Sequence, residues 1–464
     1  MEKPSEHSRR FGTSDLSASN SRAMPRREFL KRSATAVAAV SILGGEALGA
    51  GGKRPPNIVL INCDDLGYGD LSCYGSKKIA TPNVDAMART GVKFSDFHSC
   101  APVCTPSRAG LLTGRYPIRS GLTRVLGPGH RTGINDDEIT LGEALKQRGY
   151  ATAIIGKWHL GHEPRFLPMR HGFDCWYGIP YSNNMGGWKN GPDGCPLMRG
   201  EDVIEAPVDQ DTLTLRYTEE SIRFIREHRN GPFFLYLAHN MPHNPVHASE
   251  RFRGSSKGKL YGDAVQEIDW GVGEILKTLK DLGLERNTLV MFTSDNGPNG
   301  GSAGCLRGGK TMVFEGGMRV PLVARWPGRI PAGHVCHEPA SNMDLFTTCV
   351  TLAGGSVPAD RPIDGRDIRP LFTVPGRNME EYPFFYLRTS YLQAVRFGRW
   401  KMHVGRGTET LAKPELYDLD LDIGEKRDVA KDHPDIIADL QAKIASFMKG
   451  LPAEAGLGGS PESF

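Results

Sequence analysis

The sequence predicts an α/β fold: a large, mostly parallel sheet flanked by helices, then a smaller antiparallel sheet with one helix. Three observations carry this. Residues 57–62 (NIVLIN), 151–156 (ATAIIG), 233–238 (FFLYLA) and 288–294 (TLVMFTS) are short apolar runs with the length and composition of buried strands. Segments of helical spacing alternate with them, as in parallel α/β sheets. After about Met379 the pattern changes to short strand-like runs divided by turns.

The elements follow in order. Thr81-Pro82 opens a helix running to Arg89, because threonine caps and proline suits the first turn. Thr140 with Glu143 forms a capping box for a helix that ends at Gly149. Residues 211–229 and 262–282 have helical spacing, as do residues 344–353. Runs at 382–386, 393–397, 400–404 and 415–419 read as strands. Residues 432–449 read as a helix packed on them, with Pro434 in its first turn. Residues 456–464 read as a loose tail. The expected organisation is a leader over 1–50, a first domain over 55–378 and a second over 379–464.

A chain of 464 residues has room for more than one domain. Its formal net charge of +4 falls to +1 without residues 1–50, which carry eight basic and five acidic residues. A near-neutral chain offers no field for nucleic acid or an anionic membrane. No run after the leader is long and apolar enough to span a bilayer, so no stable membrane anchor is expected. Nine cysteines occur without a C-x-x-C pair, which argues against zinc.

Arg26-Arg27-Glu28-Phe29-Leu30-Lys31 precedes a short apolar run over 34–44 and resembles a twin-arginine export signal. Ala47 and Gly49 suit a cut near Ala50, and Met24 is an alternative start. The expected partner is the twin-arginine machinery, and the expected location is periplasmic or extracellular. Folding before export would occur in a reducing cytosol, so few essential disulfides are expected.

Each predicted strand delivers polar residues at its carboxyl end. Asp64-Asp65 follow the first, suiting either a solvated turn or hard-oxygen ligation of a divalent cation. Lys157 and His159 follow the second, in GKWHLG. His239 and His243 follow the third, in HNMPHNP. Asp295-Asn296 follow the fourth, and an Asx turn is the plain alternative there. Ligands collect at the carboxyl ends of strands in open α/β sheets, so these four clusters point to one composite site. Cys104 begins CTPSRAGLLTGR, a helix start with Leu111 and Leu112 on its apolar side. Its unpartnered backbone N–H groups favour an anion. Cys104 is then either a small buried thiol or a nucleophile, with Arg108 one turn on as an oxyanion clamp.

Cys104, Pro106, Ser107, Arg108, Leu112, Thr113, Gly114 and Arg115 match the Cys-x-Pro-Ser-Arg…Leu-Thr-Gly-Arg signature, so this segment resembles the type I sulfatases. The likeness extends over nearly the whole chain after Pro55, toward the arylsulfatase A and N-acetylgalactosamine-6-sulfatase branch. It implies an alkaline-phosphatase-like sandwich and sulfate-ester hydrolysis. It also implies that Cys104 is oxidised to formylglycine (3-oxoalanine) by a maturation enzyme. One calcium ion would lie on Asp64, Asp65, Asp295, Asn296 and the modified Cys104. Arg108, Lys157 and Lys310 would bind sulfate; Lys310 is taken from RGGK, 307–310. His243, which precedes x-Pro, would be the acid toward the leaving alcohol, leaving His239 to packing. Asp295 would take the proton of the attacking hydroxyl, and His159 that of the second hydroxyl. The implied substrate is a sulfated carbohydrate or an aryl sulfate. The branch often has histidine where Asn183 stands, after GIPYS, so its substrate does not carry over.

Two other classes compete. A phosphodiesterase or phosphonate hydrolase of the same superfamily is one, although its zinc-dependent members use histidine ligands and a Ser or Thr nucleophile. A non-catalytic periplasmic binding protein is the other, but a binder needs no acid–base histidine.

Overall fold

The computed structural model describes residues 54–186 and 194–461. The twin-arginine segment lies outside the described residues, as does part of the loop after Gly178. No helix among the described residues is long and apolar enough to cross a membrane.

The larger sheet has ten strands. Its centre is five parallel strands: Thr288–Ser294, Asn57–Cys63, Phe233–Ala238, Ala151–Gly156 and Cys175–Gly178, side by side in that order. The four apolar runs form four of these, and almost every residue in them is buried. Both faces are covered, which is why they read as continuous apolar runs rather than alternating ones. Along the first strand Ile58 and Leu60 point into one apolar layer, and Val59 and Ile61 into the other. Helices Cys104–Thr113, Leu141–Lys146 and Asn342–Leu352 pack on the first layer. Helices Pro82–Thr90, Leu213–Glu227 and Lys259–Asp281 pack on the second. Antiparallel neighbours make the sheet mixed: Leu322–Arg325 on one side, with Val92–Phe94 and His334–Cys336 beyond it, and Leu197–Arg199 with Asp202–Glu205 on the other.

The second sheet is a meander of Phe384–Arg388, Tyr391–Phe397, Trp400–Arg406 and Glu409–Asp418. Helix Pro434–Met448 packs on it through Leu440 and Ile444. Tyr116, Ile118, Met318 and Met343 from the first part of the chain belong to the same apolar cluster. The expectation of a loose tail fails over 456–460. Gly456–Leu457 adds a parallel strand beside Tyr391–Leu392, and Ser460 is fully buried. Backbone contact explains it. A Cβ on Gly459 would lie 2.3 Å from the Glu409 carbonyl carbon, so glycine lets the tail seat against the strand.

The capping box at Thr140 and Glu143 is present, on a helix shorter than expected, Leu141–Lys146. The Ser341 N–H donates to Asp344 Oδ2 (2.7 Å) at the start of the helix Asn342–Leu352, two residues before the expected start. All nine cysteines are free thiols.

Candidate active site

The site is assembled by the register of the parallel strands. The Asp295 N–H donates to the Cys63 carbonyl (3.0 Å), Lys157 N–H to Ala238 (2.7 Å) and Asp64 N–H to Met241 (3.2 Å). Each bond joins the residue leaving one strand to the end of its neighbour or, at Met241, to the segment just past it, so the four polar clusters share one edge of the sheet. Asp65 and His159 both occupy the left-handed region, with φ of 63° and 62°. Such conformations are costly for residues with a Cβ and gather where side chains must be aimed.

Helix Cys104–Thr113 enters this edge from below, and all ten of its residues are buried. Leu111 and Leu112 are therefore not one apolar side of an amphipathic helix. The helix is a core element whose polar residues have buried partners. Ser107 Oγ donates to the Asp295 carbonyl, and Asn342 Nδ2 donates to Ser107 Oγ (2.9 Å). Thr105 Oγ1 donates to the His159 carbonyl (2.9 Å). Cys104, the first helical residue, is thereby fixed among the strand ends.

Carboxylates and cations alternate around Cys104. Arg108 donates through Nε to Asp295 Oδ2 (2.9 Å), and its Nη2 lies 3.7 Å from Asp64 Oδ1. Lys157 Nζ pairs with Asp64 Oδ2, and Lys310 Nζ donates to Asp65 Oδ2 at 2.8 Å. His243 Nε2 is 3.7 Å from that same Asp65 oxygen. Asn296 Nδ2 donates to Asp65 Oδ1 at 2.7 Å. Asp64, Asp65, Asp295, Asn296, Arg108 and Lys157 are fully buried.

Burial alone would raise the Asp64 carboxyl, but Lys157, His243, Arg108 and Lys310 outweigh it and hold it far below the usual range. Burial pushes the Asp295 carboxyl up, against the pull of Arg108. Burial also raises the Cys104 thiol, despite Lys157 and Lys310 nearby. An unmodified Cys104 is thus a poor thiolate nucleophile here. Burial lowers both His243 and His159, keeping the imidazoles neutral.

The donor set fits a divalent cation. Asp64 Oδ1 and Asn296 Oδ1 are buried acceptors without a hydrogen-bond partner. Asp64, Asp65 and His243 present ligand atoms within 4.8 Å of one another. Buried acceptors without donors are costly, and a hard cation resolves that cost with oxygen ligands.

The structure brings together every sequence-predicted site residue: Asp64, Asp65, Cys104, Arg108, Lys157, His159, His243, Asp295, Asn296 and Lys310. His239 lies apart from these bonds. Both its ring nitrogens lack partners, and burial lowers it to about 3. His247 is tied to Asp211 through Nδ1 (2.8 Å).

Ser182 escaped notice as part of the site, and Asn183 stands out in the sequence only as a departure in a loop expected to contact substrate. Ser182 Oγ lies 3.3 Å from Lys157 Nζ and 3.4 Å from His243 Nε2. Asn183 does more than depart from a pattern. Its Nδ2 donates to Gln210 Oε1 and to the Pro245 carbonyl, both at 2.9 Å, which leaves Oδ1 facing His243 Nδ1 at 3.0 Å. An amide oxygen only accepts, so Nδ1 carries the proton and Nε2, which faces Ser182 Oγ and Asp65, is the unprotonated nitrogen of the neutral ring. Besides the likeness of GIPYS, the signal for both was their place a few residues after a short strand, Cys175–Gly178, that ends at the same edge.

Known proteins share this arrangement of sequence and fold. A family model described as Sulfatase matches residues 56–356, and one described as N-sulphoglucosamine sulphohydrolase, C-terminal, matches residues 308–450. The chain is 45% identical over 390 residues to N-acetylgalactosamine-6-sulfatase of Canis lupus familiaris, covering 78% of this chain and 74% of that protein. It is 42% identical over 390 residues to arylsulfatase A of Bos taurus, covering 77% and 76%. A solved structure of Ps i-CgsB in complex with k-i-k-neocarrahexaose aligns with a TM-score of 0.77 at 32% identity, over 87% of this chain and 95% of that one. A phosphonate monoester hydrolase from Silicibacter pomeroyi shares the fold at a TM-score of 0.64 and 19% identity, over 86% and 96%.

Proposed function

The chain belongs to the sulfatase family, and from that membership we propose that it removes sulfate from a sulfated carbohydrate, using a formylglycine made from Cys104 and one calcium ion. The ion would be held by Asp64, Asp65, Asp295, Asn296 and the modified Cys104. The observation that carries this reading is the pair of orphaned acceptors, Asp64 Oδ1 and Asn296 Oδ1, beside the buried Arg108 and Lys157, the partly buried Lys310 and Cys104.

A formylglycine supplies a hydrated aldehyde as nucleophile, and calcium neutralises sulfate charge. The chain's own residues do the rest. Arg108, Lys157 and Lys310 hold fixed positive charge for the sulfate oxygens, and such preorganised charge is the largest usual contribution to a reaction of this type. Asp295 receives the first proton. His243 faces the leaving oxygen through Nε2 and acts as its acid only after that nitrogen has taken up a second proton, because the Asn183 amide oxygen keeps the first on Nδ1. His159 takes the last proton at Nδ1, which has no partner, while Nε2 is held by the Leu126 carbonyl at 2.6 Å.

The carbohydrate class is supported by the names of the relatives and by the carrageenan-type oligosaccharide bound to Ps i-CgsB. Phosphonate or phosphodiester hydrolysis is the alternative, but the phosphonate hydrolase shares the fold alone. Residues 1–50 are read as a twin-arginine export signal, and residues 55–378 and 379–464 as a catalytic domain and a C-terminal subdomain.

The test is sulfate release from sulfated mono- and disaccharides and an aryl sulfate, by wild type and Cys104→Ala, each produced with a formylglycine-generating enzyme. Release by wild type alone is expected. Equal release by Cys104→Ala would overturn the nucleophile. No release from any sugar, with an aldehyde confirmed by mass analysis of the Cys104 peptide, would overturn the substrate class.

A further inference from the structure

A second feature lies beside the site and takes no part in the chemistry above. A cleft of about 470 Å³ is walled by three loops: residues 69–79, 257–261 and 300–304. The first leaves the strand that ends before Asp64, and the third leaves the strand that ends before Asp295. The cleft therefore opens on the same edge of the sheet as the site.

Its walls are locked to the site by hydrogen bonds. Tyr261 Oη donates to the Asp65 carbonyl (3.1 Å) and to Asp70 Oδ2 (2.7 Å). Asp70 also accepts from the N–H groups of Gly67 and Ser302, both at 2.9 Å. Asn244, next to His243, donates to the Asn299 carbonyl at 2.9 Å. The loops approach so closely that a Cβ on Gly301 would lie 2.2 Å from both Asp70 Oδ2 and Tyr261 Oη. Among the described residues Asp70 is the only acid lining the cleft, and its oxygens are occupied by these donors.

The charge in this cleft is one-sided. Lys77, Lys78, Lys257 and Lys259 line it, all four are exposed, and none is paired with a carboxylate among the described residues. Ser256 Oγ donates to the Lys78 carbonyl (3.0 Å) and accepts from Gly258 N–H (2.9 Å), which clasps the two lysine-bearing loops together. Lys259 is held at φ 59°, strained for a residue with a Cβ. In a chain of net charge +4, four unpaired lysines in one cleft are a local excess that draws anions.

We propose that this lysine-lined cleft is a distal subsite for a second anionic group, sulfate or carboxylate, on a sugar chain whose scissile sulfate occupies the Cys104 site. The proposal rests on the carbohydrate reading above and deepens it. The substrate is then a polyanionic oligosaccharide or polymer rather than a singly sulfated sugar. The lysines contribute to binding and leave the chemistry at Cys104 untouched.

The test uses the full chain with K77Q/K78Q/K257Q/K259Q, and a control with four exposed lysines of the C-terminal part replaced, K413Q/K426Q/K431Q/K449Q. Against a small aryl sulfate, both variants should keep wild-type kcat/KM within about twofold. Against a multiply sulfated oligosaccharide, the cleft variant should show KM raised roughly tenfold or more at low salt, and the gap should shrink as salt screens it. The control should not. Binding of a dextran sulfate oligosaccharide to Cys104→Ala, with and without the four cleft substitutions, separates this proposal from the one it rests on. Binding that depends on the cleft lysines supports the subsite even if no sugar is turned over. Binding unchanged by their loss overturns it, as does an equal loss in the control or equally tight binding of inorganic sulfate.

Discussion

Two buried clusters of charge in this molecule look alike in composition and differ in how they are satisfied. One surrounds Cys104. The other joins the two sheets and contains Asp96, His98, Glu315, Arg319, Arg396, Lys401, His403 and Glu425, all buried. Each has three side chains placed closely enough to hold an ion: Asp64, Asp65 and His243 in the first, Asp96, His98 and Glu315 in the second. In the second, every carboxylate is saturated. Asp96 is held bidentately by Arg396 at 2.8 and 2.7 Å. Glu315 accepts from Lys401 and Tyr386, each at 2.9 Å, and from Arg319 at 2.7 Å, with His98 at 2.9 Å. Glu425 is paired with His403 at 2.8 Å and Lys401 at 3.1 Å. Around Cys104, acceptors on Asp64 and Asn296 stay empty. A network with its own cations is a strut between the sheets. One with unanswered acceptors has a donor set that a divalent cation would complete.

The largest effect that separates the two is on stability. Glu315→Gln keeps the side-chain volume but removes the carboxylate that Lys401 and Arg319 share, leaving them only Glu425 and Asp96 in the interior. Breaking a buried pair in this way costs about 3–5 kcal/mol. Denaturant unfolding should show that loss, while the folded fraction keeps near wild-type kcat on an aryl sulfate. A Glu315→Gln enzyme as stable as wild type would show that the second network is not a strut.

The converse holds at the site. Lys157→Ala removes one of the fixed charges, and kcat should fall about 10²–10³-fold, the usual cost of one such electrostatic group. Turnover within a few-fold of wild type would separate Lys157 from the composite site.

A smaller effect concerns Asn183. Asn183→Leu removes the acceptor that fixes the protonated nitrogen of His243. The loss should be about tenfold on an alkyl or sugar sulfate, whose poor leaving group needs a proton. It should be slight on a nitrophenyl sulfate. Equal losses on both would mean that Asn183 only packs.

The smallest is a pH effect. Burial works against the charged form of Glu315, yet Lys401, Arg319 and His98 hold its carboxyl well below the usual range. A carboxyl lowered on folding contributes stability above its unfolded pKa of about 4.3, and loses it as pH falls toward the folded value. The stability gap between wild type and Glu315→Gln should therefore be full at pH 7 and narrow below about pH 4. A gap that widens in acid would reverse the sign assigned to Glu315.

The site was more legible in the sequence than the strut, for a physical reason. Asp64, Lys157, His243 and Asp295 each follow an apolar run, and parallel strands with covered faces announce themselves locally. Strand ends then gather without any knowledge of pairing. The strut has no such signal. Asp96 meets Arg396 across 300 positions, and Glu425 meets His403 from a loop, so each reads locally as an ordinary surface charge. The same limit hid the outer strands of the sheet, short ones such as Val92–Phe94 and His334–Cys336 that owe their form to a neighbour. It hid the docked tail too, where glycine signals flexibility in sequence and close packing in the fold.

The most direct measurement is calorimetric titration of calcium into metal-free wild type, Asp64→Asn and Glu315→Gln. One site is expected in wild type and in Glu315→Gln, and none or a greatly weakened one in Asp64→Asn. Calcium binding that survives in Asp64→Asn and disappears in Glu315→Gln would place the ion in the other cluster and contradict the assignment of the site.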